Sequence, residues 1–284
     1  GAEQGLLSVT ESGGFFCDSD DAWRMRKTIA RAQKPLQSTT HPHQTGPFFQ
    51  QNWEPDFSCT FERRIGKKGD GGKWICDPHK LAVSDCLIYS IGSQNDFTFE
   101  VGVLQDIGPH CEVFTFDHTV QVAKPPKGVT FNHWGVRGPY TNAEKAAIST
   151  NPGNPSGAIV ARLLPFDVMV SELGHVGRSI DILKIDCEGA EFDSLIPLLE
   201  EGTFDKLNVR QVLIEIHHST PQKIHRIMRA FQARGYVIFH KEPNIEFPMG
   251  HANYAVEYGF VRISPAFYEM EMEVATVGGM SISK

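Results

Sequence analysis

Ile180-Asp181-Ile182-Leu183-Lys184-Ile185-Asp186-Cys187-Glu188-Gly189-Ala190-Glu191 is the stretch on which the fold turns. Its first half is a short, mainly apolar run of strand length. It breaks off into Asp186, Glu188 and Glu191, and Phe192 to Glu201 then carries a helical pattern. Strand alternation sets Lys184, Asp186 and Glu188 on one side while the strand lasts. Three carboxylates bunched at a strand end exceed what packing needs, although Glu188 and Glu191 also suit a helix N-terminus.

The same strand-then-helix texture extends in both directions. Upstream, Leu87-Ile88-Tyr89-Ser90-Ile91 is an apolar run that stops at Gly92. Phe97 to Asp106 reads as a helix closed by Gly108, Val113 to Phe116 as a strand ending at Asp117, and Val129 to Val136 as one further strand. A loop rich in Gly, Pro and Asn covers Gly138 to Gly157, and a helix follows near Phe166 to Leu173. Downstream, Val212 to Ile216 is a strand. Pro221 to Arg234 is a helix with proline in its first turn and Gly235 beyond its end. Tyr236 to His240 and Val256 to Ile263 read as a closing antiparallel pair. Residues 1–80 lack this rhythm: one helix is expected over Asp21 to Ala32, with Trp23 and Ile29 packing, ahead of a glycine-dense basic segment from Arg63 to Trp74. The expected organisation is an irregular N-terminal extension at 1–80, an α/β domain at 81–263 and a tail at 264–284.

Strands alternating with helices imply a mostly parallel sheet covered on both faces, with ligands at the carboxyl ends of its strands. Gly92 lets a ligand approach the backbone, and Asp117, 25 positions later, can accept hydrogen bonds from ribose hydroxyls; the pair is a nucleoside-binding pattern. No G-x-G-x-x-G follows the first strand, and no P-loop occurs. Glu215 and His217 point the same way if their strand continues, and a histidine titrating near neutrality suits a base. His218 reads as structural. Asp186, Glu215 and His217 could also ligate a divalent ion, but nothing in the sequence forces it and no metal is expected.

Composition narrows the class. The 284 residues carry 27 Lys and Arg against 34 Asp and Glu, a net charge of −7, with 40% hydrophobic and 21% charged residues. That is globular rather than disordered, and gives no general pull toward nucleic acid or acidic membranes. No apolar run is long enough to span a bilayer. The sequence opens Gly1-Ala2-Glu3 and shows no signal peptide; a leader or anchor upstream is left open. Six cysteines form no C-x-x-C pair, so free buried thiols or structural disulfides are the choices. No N-x-S/T sequon occurs.

Lys184-Ile185-Asp186-Cys187-Glu188-Gly189-Ala190-Glu191 resembles the K-I-D-x-E-G-A-E signature of FkbM-type S-adenosylmethionine-dependent methyltransferases. Gly69-Asp70-Gly71-Gly72-Lys73-Trp74-Ile75-Cys76-Asp77, then Tyr89-Ser90-Ile91-Gly92 with Phe99-Glu100, then Phe116-Asp117, resembles the methyltransferase-like protein 24 family over about residues 53–262. The resemblance implies a class I methyltransferase (Rossmann-like) fold with a seven-stranded sheet and S-adenosyl-L-methionine as donor. The chain keeps only Gly92 of the broad G-x-G-x-G loop. On this footing Gly92 and Ser93 hold the methionine end, Asp117 the ribose, and Trp134 lies beside the adenine. Asp186 lies near the reacting methyl, with Glu188, Glu215 and His217 toward the acceptor and Asp186 or His217 as base. The Gly69 to Trp74 loop, with Asp70, Gly71, Gly72 and Lys73, is expected to line the mouth and touch cofactor or acceptor. Cys86 and Cys111 each precede a strand, and those strands neighbour each other in this fold, so they are expected to pair; Cys59 and Cys76 form a second expected pair. The expected reaction is O-methylation of a sugar or small molecule, with nitrogen or sulfur acceptors, or a non-catalytic binding protein, as alternatives. Neither nucleic acid nor membrane is an expected partner. Disulfides would place the protein in the secretory pathway or Golgi lumen, and free thiols in the cytoplasm.

Overall fold

In chain order, an N-terminal layer comes first: α1 (Leu7–Glu11), α2 (Asp20–Ala32), α3 (Thr45–Gln51), β1 (Glu62–Ile65), β2 (Lys73–Cys76) and α4 (Pro78–Leu81). Then follow β3 (Leu87–Ile91), α5 (Thr98–Asp106), β4 (Glu112–Phe116), β5 (Val129–Asn132), β6 (Trp134–Arg137), β7 (Arg162–Pro165), α6 (Phe166–Glu172) and β8 (Ile180–Ile185). The chain continues through α7 (Glu191–Glu200), α8 (Thr203–Lys206), β9 (Val209–Ile216), α9 (Pro221–Ala233), β10 (Tyr236–Pro243) and β11 (Val256–Arg262). This computed structural model describes residues 6–32, 45–83, 85–144, 162–217, 219–244 and 255–268. His218, most of the Gly138–Gly157 loop and the tail after residue 268 lie outside the described residues.

Seven strands form one sheet in the order β10-β11-β9-β8-β3-β4-β5. The five strands β9, β8, β3, β4 and β5 are parallel, and β11 runs antiparallel between β9 and β10. The chain builds outward from β3 in both directions, so strand order reverses between β3 and β8. That reversal opens a crevice at their carboxyl ends. β3 and β8 are buried along their whole length, because helices cover both sheet faces. Leu87, Tyr89 and Ile91 enter one core with α6, α7 and α9, while Ile88 enters the other with α5 and the N-terminal layer.

The N-terminal layer is therefore part of the domain's second core. Trp23 and Ala30 of α2 meet Phe16, Phe57 and Phe267 there. Ile29 does not pack as expected and is 55% exposed. The inward face instead runs through Trp23, Lys27 and Ala30, because Glu11 accepts from both the Trp23 indole at 2.6 Å and the Lys27 ammonium at 2.7 Å. The expected strand from Val129 to Val136 is broken at His133. β5 joins the large sheet, whereas β6 leaves to pair with β7, turning Trp134 against Phe116. Both expected disulfides are present: Cys86–Cys111 with Cα atoms 4.5 Å apart and Cys59–Cys76 at 5.5 Å. No helix among the described residues is long and apolar enough to cross a membrane.

Candidate active site

The crevice between β3 and β8 opens into a cleft of about 280 Å³. Its floor starts at Gly92. This residue has φ +81°, and a Cβ there would lie 1.7 Å from the Asp186 carbonyl oxygen. Three strand ends are pinned around it: Gly92 N–H donates to Phe116 O at 2.8 Å, Asp186 N–H donates to Ile91 O at 3.0 Å, and the Lys184 ammonium donates to Gly92 O at 2.6 Å. The loop then curls over Asp117, with Gln94 and Asn95 both in the left-handed region. Asp117 Oδ2 accepts from the N–H groups of Ser93 at 3.0 Å and Gln94 at 2.7 Å. Its Oδ1 accepts from the Thr119 N–H at 2.8 Å and hydroxyl at 2.6 Å. Burial would raise this carboxyl, but those bonds outweigh it and hold it below the usual range.

This arrangement fits the nucleoside end of S-adenosylmethionine in an informative way. Asp117 lines the cleft, yet its acceptor positions are taken within the chain. A ribose hydroxyl would replace the Thr119 hydroxyl rather than fill an empty position. Ser93 also lines the cleft, and its buried Oγ has no partner among the described residues. Trp134 stacks on Phe116 at 6.0 Å beside the same wall.

The other half of the cleft is a charge cluster. Asp186 follows β8, Glu215 is on β9, His217 follows β9, and Glu257 is near the start of β11. Because β11 is antiparallel, its first residues lie at the carboxyl end of the parallel strands. Lys73, the first residue of β2, reaches in from the hairpin with its ammonium 3.3 Å from Asp186 Oδ2 and 4.0 Å from Glu215 Oε2, and ion-paired to Glu257. Burial would raise Asp186, but Lys73 and Lys184 prevail and hold it at about 2. Burial, with Asp186 and Glu257 nearby, pushes Glu215 up to about 8, so it is protonated at neutral pH and accepts a 2.8 Å hydrogen bond from the Asn244 amide.

His217 departs from the role expected for it. Burial would lower its pKa, but the buried Glu191 carboxylate accepts from both its backbone N–H (2.8 Å) and its Nδ1 (3.2 Å) and raises it to about 9. That contact favours the protonated ring, which suits a donor better than the base expected of it. Its Nε2 lies 3.4 Å from Glu188 and 3.9 Å from Glu215. Ligand atoms of Asp186, Glu215 and His217 fall within 4.8 Å of one another, close enough to enclose a cation, and the Lys73 ammonium already stands beside two of them.

The β1–β2 turn forms the rim. Lys67, Asp70 and Gly71 line the cleft. Gly72 lies inside the turn instead, where a Cβ would stand 2.1 Å from Lys67 O, and it does not face the cleft. The structure thus brings Gly92, Ser93, Asp117, Trp134, Gly71, Asp186, Glu188, Glu215 and His217 to one cleft. Sequence reasoning named Lys73 only as part of the rim loop, gave Glu191 no partner, and did not single out Asn244 or Glu257. Lys73 had a signal, a cation opening a strand beyond four glycines, but its partners are 113 and 184 positions away.

A family model described as a methyltransferase domain matches residues 6–262. The probable methyltransferase-like protein 24 of Rattus norvegicus is 27% identical over 144 residues, which is 50% of this chain and 36% of that protein. Its Homo sapiens counterpart is 26% identical over the same shares, so the match spans little more than a third of these curated relatives. Among solved structures, M. capricolum TrmK in complex with S-adenosylhomocysteine shares 12% identity at a TM-score of 0.32, covering 66% of this chain and 69% of that one. A putative ribosomal RNA methyltransferase from Plasmodium falciparum shares 11% at 0.34, covering 64% and 88%. The strand order, not these superpositions, defines the class I methyltransferase fold. With most of its length matched by that one family model, and the cleft at its sheet's switch point, the chain belongs to the methyltransferase-domain family.

Proposed function

We propose that this domain transfers the methyl group of S-adenosylmethionine to a hydroxyl of a small molecule or sugar. S-adenosylmethionine is the methyl donor, held by the Gly92–Ser93 loop, Asp117 and the wall at Trp134. The observation that carries the acceptor reading is the Asp186 carboxylate, kept ionised at the end of β8 between the donor loop and the charge cluster.

The acceptor oxygen attacks the methyl carbon in line, the carbon–sulfur bond breaks, and neutral S-adenosylhomocysteine leaves. Asp186 accepts the hydroxyl's hydrogen bond and then its proton. As the new bond forms the oxygen gains oxonium character and becomes strongly acidic, so a carboxylate of low pKa suffices. Such a group contributes about 10²–10⁴-fold. The His217 imidazolium donates toward the acceptor side, and Cys187 is no rival nucleophile, since burial raises its thiol pKa.

The cleft volume of about 280 Å³ supports a small acceptor. The two disulfides support an oxidising compartment such as the secretory pathway. The test is incubation with labelled donor and a metabolite or glycan extract, followed by isolation of the labelled product. Label on a hydroxyl, lost with Asp186→Asn while S-adenosylhomocysteine still binds, is the expected result. Binding without any transfer would sink the catalytic reading, and label on nitrogen would sink the hydroxyl.

A further inference from the structure

We propose that Lys73 is a positioning residue for this transfer: the N-terminal hairpin delivers its ammonium to the carboxyl end of the sheet, where it is the site's resident cation and fixes Asp186. The proposal rests on the methyl-transfer reading given above.

Lys73 is 2% exposed. Its backbone is held from several directions. It pairs with Ile65 across the hairpin, and at the other end of β2 the Gln211 amide both accepts from Cys76 N–H and donates to Cys76 O, at 2.9 Å each. The Cys59–Cys76 disulfide fastens the same end. With the strand fixed, the lysine's backbone is anchored beside the cluster.

Around it stand Glu257 on β11, Glu215 on β9 and Asp186 after β8, with Asp70 of the hairpin turn grouped with Glu215 and Glu257 within 4.8 Å. Lys184 and His217 are the other cations of the cluster, but Lys184 donates to Gly92 O and His217 to Glu191. A lysine that only neutralised Glu257 would need one contact. This one spends a second N–H on Asp186 at 3.3 Å, the carboxylate placed to take the acceptor's proton. Without that second N–H the Asp186 carboxylate loses a contact that holds its orientation toward the acceptor and favours its charged form.

The test compares Lys73→Met, Lys73→Arg and the double variant Lys73→Met/Glu257→Gln, all in the full chain, with saturating S-adenosylhomocysteine for the titrations and without it for the transfer assay. Aspartate carboxyl ¹³C resonances are followed against pH, with Asp186 assigned by its loss in Asp186→Asn. In the unsubstituted protein and in Lys73→Arg, Asp186 stays ionised across the folded range. In Lys73→Met its titration midpoint rises by about one pH unit, which leaves it ionised at neutral pH, and label transfer falls at least about tenfold because the carboxylate is no longer held in place, while S-adenosylhomocysteine affinity stays within about threefold. If Lys73→Met does not fold, the double variant, which also removes the carboxylate most tightly paired to the ammonium, carries the same comparison. An Asp186 titration unchanged in the folded variant would overturn the proposal and leave Lys73 as a counter-charge to Glu257. Failure of the unsubstituted protein to bind S-adenosylhomocysteine would sink the methyl-transfer reading instead, and the Asp186 titration would still decide whether Lys73 governs that carboxylate.

Discussion

On the donor side of the cleft, Asp117 gathers hydrogen bonds from Ser93, Gln94 and Thr119, none more than 24 positions away. On the acceptor side, Lys73 reaches Asp186 across 113 positions and Glu257 across 184. The first half is made of backbone N–H groups and a glycine whose missing side chain lets two strand ends touch. The second is made of side-chain charges from separate strands that set one another's protonation. Damage should follow the same division: the donor half fails when its shape changes, the acceptor half when its charge changes.

Gly92→Ala should have the largest effect, because the new Cβ meets the Asp186 carbonyl at 1.7 Å in a left-handed backbone. S-adenosylhomocysteine affinity should drop by roughly 100-fold or more with a lower Tm. Normal affinity by calorimetry would break the claim that shape rules this half. Asp186→Asn keeps the shape and removes the charge. It should lower kcat by at least about tenfold with binding nearly unchanged, and a loss confined to KM would erase the division between halves. Asp117→Ala releases the Ser93–Gln94 loop and should weaken S-adenosylhomocysteine binding by about 1–3 kcal/mol. An equal loss in Thr119→Val would move the weight from the loop to the Thr119 contacts.

The smallest effect is on stability against pH. Glu215 is raised from 4.5 to about 8 and His217 from 6.5 to about 9. Groups raised by folding contribute stability that is fully present below their unfolded values and lost as pH climbs through the folded ones. Asp186 has the opposite sign: lowered from 3.8 to about 2, it contributes above 3.8 and loses that contribution toward 2. Tm should therefore fall by several degrees between about pH 4.5 and 9, and His217→Gln should flatten the upper part of the fall, above about pH 6.5. A flat profile in the unsubstituted protein would show that the acceptor half is not charge-coupled.

The same contrast explains what could be read from the sequence. β3 and β8 are continuous apolar runs ending at Gly92 and Asp186, so the central sheet and the donor loop are legible from local pattern. The Cys86–Cys111 disulfide was legible once both residues were placed at neighbouring strand starts, and Cys59–Cys76 from their flanking the glycine-rich segment. His217 was found, but its Glu191 partner was not, because that carboxylate reaches it from the start of α7, 26 positions earlier. Lys73 sits in a glycine-rich hairpin whose pattern suggests a loop. Glu257 reaches the site because β11 is antiparallel, a fact of strand order rather than of neighbouring residues. The break at His133 depends on β6 finding β7, and no period in the sequence announces it.

The hairpin also bears on how this protein can be cut down for laboratory production. A fragment beginning at residue 81 would retain all seven strands of the large sheet and look complete on a topology diagram. It would discard Lys73 and leave Asp186, Glu215 and Glu257 crowded together without their ammonium. Such a fragment would have to take up protons or open its cleft to water, so its poor yield or inactivity would reflect the cut itself. Expression boundaries should therefore fall upstream of Cys59, whose bond to Cys76 fastens the strand that carries the missing charge.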